Sequence, residues 1–543
     1  MTQVSTPRLT VIGLDAATFD VIDPLLEAGE LPNLARLFAA GSRGVLRSVT
    51  HPLTPHAWAT MTTGVNAGRH GIWDFSERSG GGYELRLING SYRRAPAVWD
   101  RLAAAGVAAG IVNVPFTWPA PEIDGFVISG FDAAAREDGL TYPRDLVGEI
   151  QARFGPLVLD HRFPIGKDGG VDLDLVRRAA EQKVEIALWL AERFEPALLF
   201  VVFMAADHVH HLCWDDWERR GPESAVAEVY RILDRATGAL ASAAGTDGDV
   251  MVVSDHGGGR LDGVVNLNAY LASRGFLAYA GADAAVGRRL ARRVFELRRR
   301  LPEGLRTAVK RRLPGVRARA YEATSYTVVD WPRTRAFAYG TFGNVVLNLQ
   351  GRERDGTVSP EEYESVRDEV ARALSELRGP NGEEIVAAVH RREDLFHGPE
   401  LERLPDLIVE FDRYRWLGKG NLRSRAASLW DRIEIEPGSK HSYVGSHRHE
   451  GVLALAGPSA LRGGTIAADI ADVAPTILYL LEQPLPTDLD GRLVMEALAP
   501  ALLEARQPEY ADLEGVTVAA KETYAPGDEE AVEERLRSLG YLE

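Results

Sequence analysis

An α/β fold is what this sequence predicts: a mostly parallel central sheet with helices on both faces, plus an inserted cap or lid subdomain. Three observations predict it. Short apolar runs without polar alternation recur along the chain, the pattern of strands buried on both faces. Segments of helical periodicity separate these runs, the order of a sheet built from βαβ units. Three of the runs end on an aspartate, and such sheets gather functional groups at the carboxyl ends of their strands.

Taken in order, RLTVIGLD (Arg8–Asp15) is the first run. Next comes HPLTPHAWATMTTGVNAGRHGIWDF, from His51 to Phe75. Pro55 suits the first turn of a helix, where its missing N–H costs nothing. Thr54 before it is a good cap residue, and on this stretch alone a cap is a commoner role than a nucleophile. Helical patterns span Leu175–Phe194 and Ala225–Ala244, and between them PALLFVVFMAAD (Pro196–Asp207) is a second run ending in a carboxylate. GDVMVVSDH (Gly248–His256) is the third. From about Gly259 to Leu401 the texture changes. A strongly basic stretch, including Arg288–Arg319, reads first as a solvated helical hairpin. The other readings are a lid attracting an anionic substrate, or a contact with a membrane surface. Ser359 and Pro360 mark a helix start. PDLIVEF (Pro405–Phe411) reads as a return to the main sheet, and EGVLALAGP (Glu450–Pro458) as a further strand after the histidine-rich SHRH. The expected division is a core over 1–258 and 402–500, an insertion over 259–401, and an amphipathic tail over 501–543 packed on the body.

Composition narrows the function. The 543 residues carry a net charge of −16, which argues against a general nucleic-acid binder. One cysteine, Cys213, excludes a disulfide framework and a thiolate zinc site. No apolar run is long enough to span a membrane, and the N-terminal residues lack a signal-like core, so the expected location is cytoplasmic.

The chemistry lies in a constellation. In AADHVHHL, Asp207 and His211 are four apart and share one face of a helix, while His208 and His210 point elsewhere. In SDHGGG, Asp255 and His256 leave a strand together, and GSHRHEG supplies His447. With Asp15 the tally is three carboxylates and three imidazoles. Such donors without thiolate suit zinc, manganese or iron. Six ligands and a hydroxyl suffice for two metal sites, and two ions can clamp an in-line phosphoryl transfer.

The chain resembles the alkaline phosphatase superfamily, in its type I phosphodiesterase/nucleotide pyrophosphatase-like branch. VIGLDAATFDVI, LPNLARL, TPHAWATMTTGVNAGRHGI, NVPFTWP, AADHVHH, VVSDHGGG, GSHRHEG and DVAPTILYLLEQPLPTDLDGR carry the resemblance. It implies a metal-dependent phosphoesterase acting on a small phosphorylated substrate, with two divalent ions, zinc first and manganese second. Thr54 would be the nucleophile, transiently phosphorylated or nucleotidylated. Asp207, His211 and His447 would hold one ion; Asp15, Asp255 and His256, with the Thr54 oxygen, the other. His210 is an alternative to His211, and His449 or His441 to His447. One departure stands out: relatives that cleave nucleotides commonly place an asparagine shortly after HGI, where this chain has Trp73, Asp74 and Phe75. Asn113 could supply a polar group, although packing is its plainer role. A phosphomutase and a non-catalytic binder of anionic ligands are the rival readings. A sulfatase is disfavoured because Thr54-Pro55-His56 lacks that family's nucleophile context.

Overall fold

A computed structural model describes residues 8–78, 81–134, 138–158, 171–280, 328–422, 428–432, 443–512, 515–516, 518 and 521–538. The expected basic segment Arg288–Arg319 and His441 lie outside them.

The apolar runs assemble as one nine-stranded sheet. Across it the order is Thr465–Asp469, Gly41–Arg47, Glu450–Ala456, Asp249–Val253, Leu9–Leu14, Leu198–Phe203, Ala109–Val112, Gly125–Ile128 and Thr141–Tyr142. The sheet is mostly parallel, as the unalternating runs predict. Leu9–Leu14 lies parallel to both Leu198–Phe203 and Asp249–Val253. Successive residues feed opposite faces: Leu198, Phe200 and Val202 enter one apolar core, Leu199, Val201 and Phe203 the other. Burying each such side chain contributes about 1.5–3 kcal/mol, so an unbroken apolar run is stable only where both faces are covered. Helices Leu173–Phe194 and Ala225–Ala243, close to their expected bounds, cover the second of these cores, and helices Thr54–Thr63, Val98–Ala104 and Val473–Leu480 cover the first.

Two strands depart from expectation. Glu450–Ala456 is antiparallel to both neighbours. Leu407–Phe411 does not return to the main sheet: it joins a four-stranded antiparallel sheet with Ala336–Tyr339, Asn344–Leu347 and Val386–Arg391. Leu407, Ile408 and Val409 are fully buried there, so the run is apolar for the same reason in a different place. A further small sheet joins Gly263–Asn266, Trp416–Lys419 and Trp430–Arg432. The main sheet resumes only at Glu450. The helix expected from Ser359 begins one turn later, at Tyr363, because Ser359 and Glu362 first close a turn through Oγ and Oε2 at 3.0 Å.

The C-terminal helix Pro526–Ser538 packs on the body with Val532 and Leu536 buried. Tyr524, just before it, stacks on Trp118 at 4.8 Å. No helix among the described residues is long and apolar enough to cross a membrane.

Candidate active site

Parallel register brings the three aspartates together. Leu14 pairs with Phe203 and Gly13 with Val253, so Asp15, Asp207 and Asp255 follow the carboxyl ends of three adjacent strands in the middle of the sheet. All three are fully buried. Helix Ala205–Arg220 carries Asp207 and His211 on successive turns, with His211 Nε2 3.3 Å from Asp207 Oδ1. A small hairpin brings in the other histidines. Gly257–Arg260 pairs with Gly445–Arg448, placing Gly258 opposite His447. The rings of His256 and His447 then stack at 3.7 Å, and His447 Nε2 is 3.2 Å from Asp207 Oδ1.

Thr54 meets this cluster from the other side. Its helix, Thr54–Thr63, is buried along its whole length. Leu53, in extended conformation, takes the cap position and Thr54 is the first helical residue, one place later than the cap expected. Pro55 follows in the first turn, and with Leu53 at the cap the Thr54 hydroxyl is not the capping group. Its Oγ1 instead lies 3.4 Å from His256 Nε2. One turn on, Trp58 Nε1 donates to Asp15 Oδ2 at 2.8 Å. Gly13 makes room for that indole: a Cβ there would lie 2.6 Å from Trp58 Cη2.

Backbone carbonyls orient all three imidazoles. His211 Nδ1 lies 3.0 Å from Gly445 O, His256 Nδ1 3.0 Å from Gly257 O, and His447 Nδ1 2.6 Å from Pro52 O. A carbonyl oxygen only accepts, so each Nδ1 carries a proton, and in its neutral form each ring presents its Nε2 lone pair to the cluster. His211 Nε2 and His447 Nε2 are 3.0 Å apart, two lone pairs aimed at a common point.

The electrostatics follow from burial. Burial, then the carboxylates of Asp255 and Asp207, pushes the Asp15 carboxyl well above its ordinary range. Burial and Asp207 do the same to Asp255. Burial also acts to raise Asp207, but His211 and His447 outweigh it and hold that carboxyl low. Burial lowers His256 and His447. Burial lowers His211, but Asp207 and the Gly445 carbonyl together raise it, and it ends above its usual value.

This donor set fits divalent cations. Asp15 Oδ1 and Asp255 Oδ2 are buried with no hydrogen-bond donor, and no Lys or Arg among the described residues is in ion-pair range of either carboxylate. Buried carboxylates so placed are costly unless a cation compensates them. Ligand atoms of Asp207, His211 and His447 lie mutually within 4.8 Å, as do those of Asp15, Asp207 and His256. Asp207 is thus common to both groups, and Asp255 Oδ2 joins through His256 Nε2 at 3.3 Å.

The alternatives are engaged elsewhere. His210 Nε2 lies 3.2 Å from the Tyr230 hydroxyl, and burial pushes that imidazole down to about 3. His449 Nε2 lies 3.2 Å from Glu410 Oε1. Asn113 Nδ2 donates to Ser129 O at 2.9 Å, a packing role. In the departing stretch, Trp73 Nε1 donates to Asn344 Oδ1 at 3.1 Å, and Asp74 Oδ2 accepts from Asn344 Nδ2 at 3.3 Å. Sequence reasoning missed Trp58, whose place one helical turn after Thr54 was a readable signal. It also missed Phe342, whose ring lies 5.4 Å from that of His447, and Tyr414, whose ring lies 5.8 Å from Phe342. No local signal marks either residue.

Comparison with known proteins places this geometry. The profile of the type I phosphodiesterase / nucleotide pyrophosphatase family matches residues 9–443. A search of curated proteins found no match. Among solved structures, phosphonoacetate hydrolase from Sinorhizobium meliloti 1021 in complex with phosphonoacetate is similar at 14% identity and a TM-score of 0.52, covering 88% of this chain and 95% of its own. The same enzyme with phosphonoformate gives 14% identity and a TM-score of 0.50 over the same shares, 88% and 95%. Murine ectonucleotide pyrophosphatase / phosphodiesterase 5 gives 14% identity and a TM-score of 0.48, covering 91% of this chain and 100% of its own.

Proposed function

This chain belongs to the type I phosphodiesterase / nucleotide pyrophosphatase family and is a hydrolase of phosphoric esters, and from that premise we propose that it works through Thr54 as a covalent nucleophile beside two divalent metal ions. The observation that carries the reading is the Thr54 hydroxyl itself. It is buried at the first turn of its helix, stands one place after the cap, and lies 3.4 Å from His256 Nε2.

Asp207, His211 and His447 would hold one ion, and Asp15, Asp255 and His256 the other, zinc or manganese by donor type. Bound there, the ions would supply Lewis-acid polarisation of the phosphoryl oxygens and lower the pKa of the hydroxyl. The chain supplies the rest. Thr54 gives up its proton to water and its oxygen bonds to phosphorus as the bond to the leaving oxygen breaks. The positive end of the Thr54–Thr63 helix favours both the alkoxide and an incoming phosphate oxygen. Water then attacks the phosphoryl-threonine, its hydroxyl passing to phosphorus and its remaining proton balancing the released alkoxide, and Thr54 is restored. The described part of the insertion, with the strands Ala336–Tyr339, Asn344–Leu347, Val386–Arg391 and Leu407–Phe411, would cover this chemistry, with the Phe342 ring 5.4 Å from that of His447. The single cysteine suits a reducing compartment, and a cytoplasmic location belongs to the same proposal.

The test is a paired assay with added zinc or manganese, using a chromogenic phosphate monoester and the matching diester, each beside Thr54→Ala. Turnover lost both in Thr54→Ala and on chelation is the expected result, and the monoester-to-diester ratio assigns the subclass. Turnover that survives Thr54→Ala removes the threonine from the mechanism.

A further inference from the structure

Arg448 directly follows His447 and is 6% exposed. Its Nη1 donates to His447 O at 2.8 Å and to Tyr414 O at 3.3 Å, and its Nη2 donates to Arg260 O at 2.5 Å. These carbonyls belong to three segments: the strand that presents His447, the loop after Leu407–Phe411, and the strand that follows His256. A buried guanidinium ordinarily faces a carboxylate. Among the described residues none lies within ion-pair range of Arg448, so its hydrogen bonds all go to backbone carbonyls. Burial, with Arg413 and Arg415, lowers it to about 10, which leaves it a cation at neutral pH.

The loop it grips is unusual. Arg413 and Tyr414 both have left-handed backbone, with φ of 45° and 48°, a conformation side chains rarely adopt unless the surroundings impose it. The Tyr414 hydroxyl lies 3.1 Å from His51 Nδ1, and its ring packs on Phe342, which packs on the His447 ring. A closed circuit results: His447 ring, Phe342, Tyr414, the Tyr414 carbonyl, Arg448, and the His447 carbonyl. Gly259 completes it. A Cβ there would lie 2.4 Å from Arg448 Cζ, so the guanidinium fits only against glycine.

We propose that Arg448 is a positioning residue that sets His447 for metal binding by locking its strand to the Tyr414 loop and to the strand after His256. The inference rests on the metal site proposed above. Lysine cannot replace it, because one ammonium on a flexible stem does not span three carbonyls as a planar fork does.

Zinc affinity of the full chain, measured by chelator competition, tests this in wild type, Arg448→Lys, Arg448→Met and Gly259→Ala. Helix content is followed by circular dichroism. One of the two zinc affinities should fall by about 10- to 100-fold in the Arg448 variants, the scale of lost outer-shell support, with the other unchanged. Gly259→Ala should weaken the same site by displacing the guanidinium with the Arg448 residue itself left in place. If Arg448→Met fails to fold, the other two variants decide. A wild type that binds two zinc ions beside folded variants that bind them equally well overturns this inference alone. A wild type that binds no zinc overturns the metal reading, and this one with it.

Discussion

Asp74 offers a pH-linked test whose size follows from the structure. Its carboxyl is 4% exposed, and burial raises it from 3.8 to about 7 against the hydrogen bonds it accepts from Phe75 N, Asn344 and Ser76. The folded state therefore holds this proton where the unfolded chain has lost it. The resulting stability is fully present below about pH 4 and falls as pH rises through about 7. Integrated over that shift, the penalty is about 1.5 kcal/mol at pH 5 and about 4 kcal/mol at pH 8, at 1.36 kcal/mol per unit. Asp74→Asn stays neutral and escapes it. The new amide nitrogen would face Asn344 Nδ2, whose own Oδ1 is taken by Trp73 Nε1, which adds an offset of about 1 kcal/mol at every pH. The slope, and not the absolute stability, is therefore the readout. Urea unfolding of both proteins at pH 5 and pH 8 should show the variant gaining about 2.5 kcal/mol on wild type between the two. Parallel pH dependences would mean that Asp74 titrates normally and that its burial is relieved by some group other than these.

Trp58→Phe removes the 2.8 Å donor to Asp15 Oδ2 while keeping an aromatic ring, and should weaken zinc binding by about 10- to 100-fold in a chelator competition; unchanged affinity would detach Asp15 from the metal. His211→Ala should lower the zinc content by one ion per chain, read by elemental analysis after dialysis, and a full complement of metal would remove His211 from the site. Tyr524→Ala loses the stack on Trp118 and the 2.7 Å bond to Asp132 O, and should cost about 3–5 kcal/mol in urea unfolding, with a null result showing that the tail adds nothing to the body's stability.

What could be read from the sequence was what short-range periodicity encodes. The three strand-end aspartates were legible because apolar runs stop where the chain leaves the sheet. Asp207 and His211 were legible because a helix repeats every 3.6 residues. Direction was not legible: Glu450–Ala456 is as apolar antiparallel as it would be parallel, and Pro405–Phe411 is as apolar in a small sheet as in a large one. The cap was misplaced by one residue because Leu53, with no capping side chain, is extended for reasons of its surroundings. Phe342 and Tyr414 reach the site through contacts with residues far away in the chain, and Arg448, though next to His447, meets Tyr414 and Arg260 only through the fold; no window of sequence contains such a contact.

The choice of partners for the histidine Nδ1 atoms bears on the charge the site offers a phosphate. A carboxylate could orient each imidazole as well as a carbonyl does, and the chain has such a pair close by. Glu410 accepts from His390 Nε2 at 2.7 Å and lies 3.2 Å from His449 Nε2, two residues past His447, and those bonds hold its carboxyl far below the ordinary range. Yet His211, His256 and His447 all face carbonyls, from Gly445, Gly257 and Pro52. Two divalent ions would exceed the charge of Asp15, Asp207 and Asp255 by a single unit. One carboxylate behind any of the three histidines would cancel that unit, and two would make the centre repel an anionic substrate. Carbonyl support fixes the tautomer without adding charge, so a buried site with three aspartates remains attractive to phosphate. Because one of those carbonyls is Pro52 O, two residues before Thr54, the same bond that orients His447 also ties it to the segment that presents the proposed nucleophile.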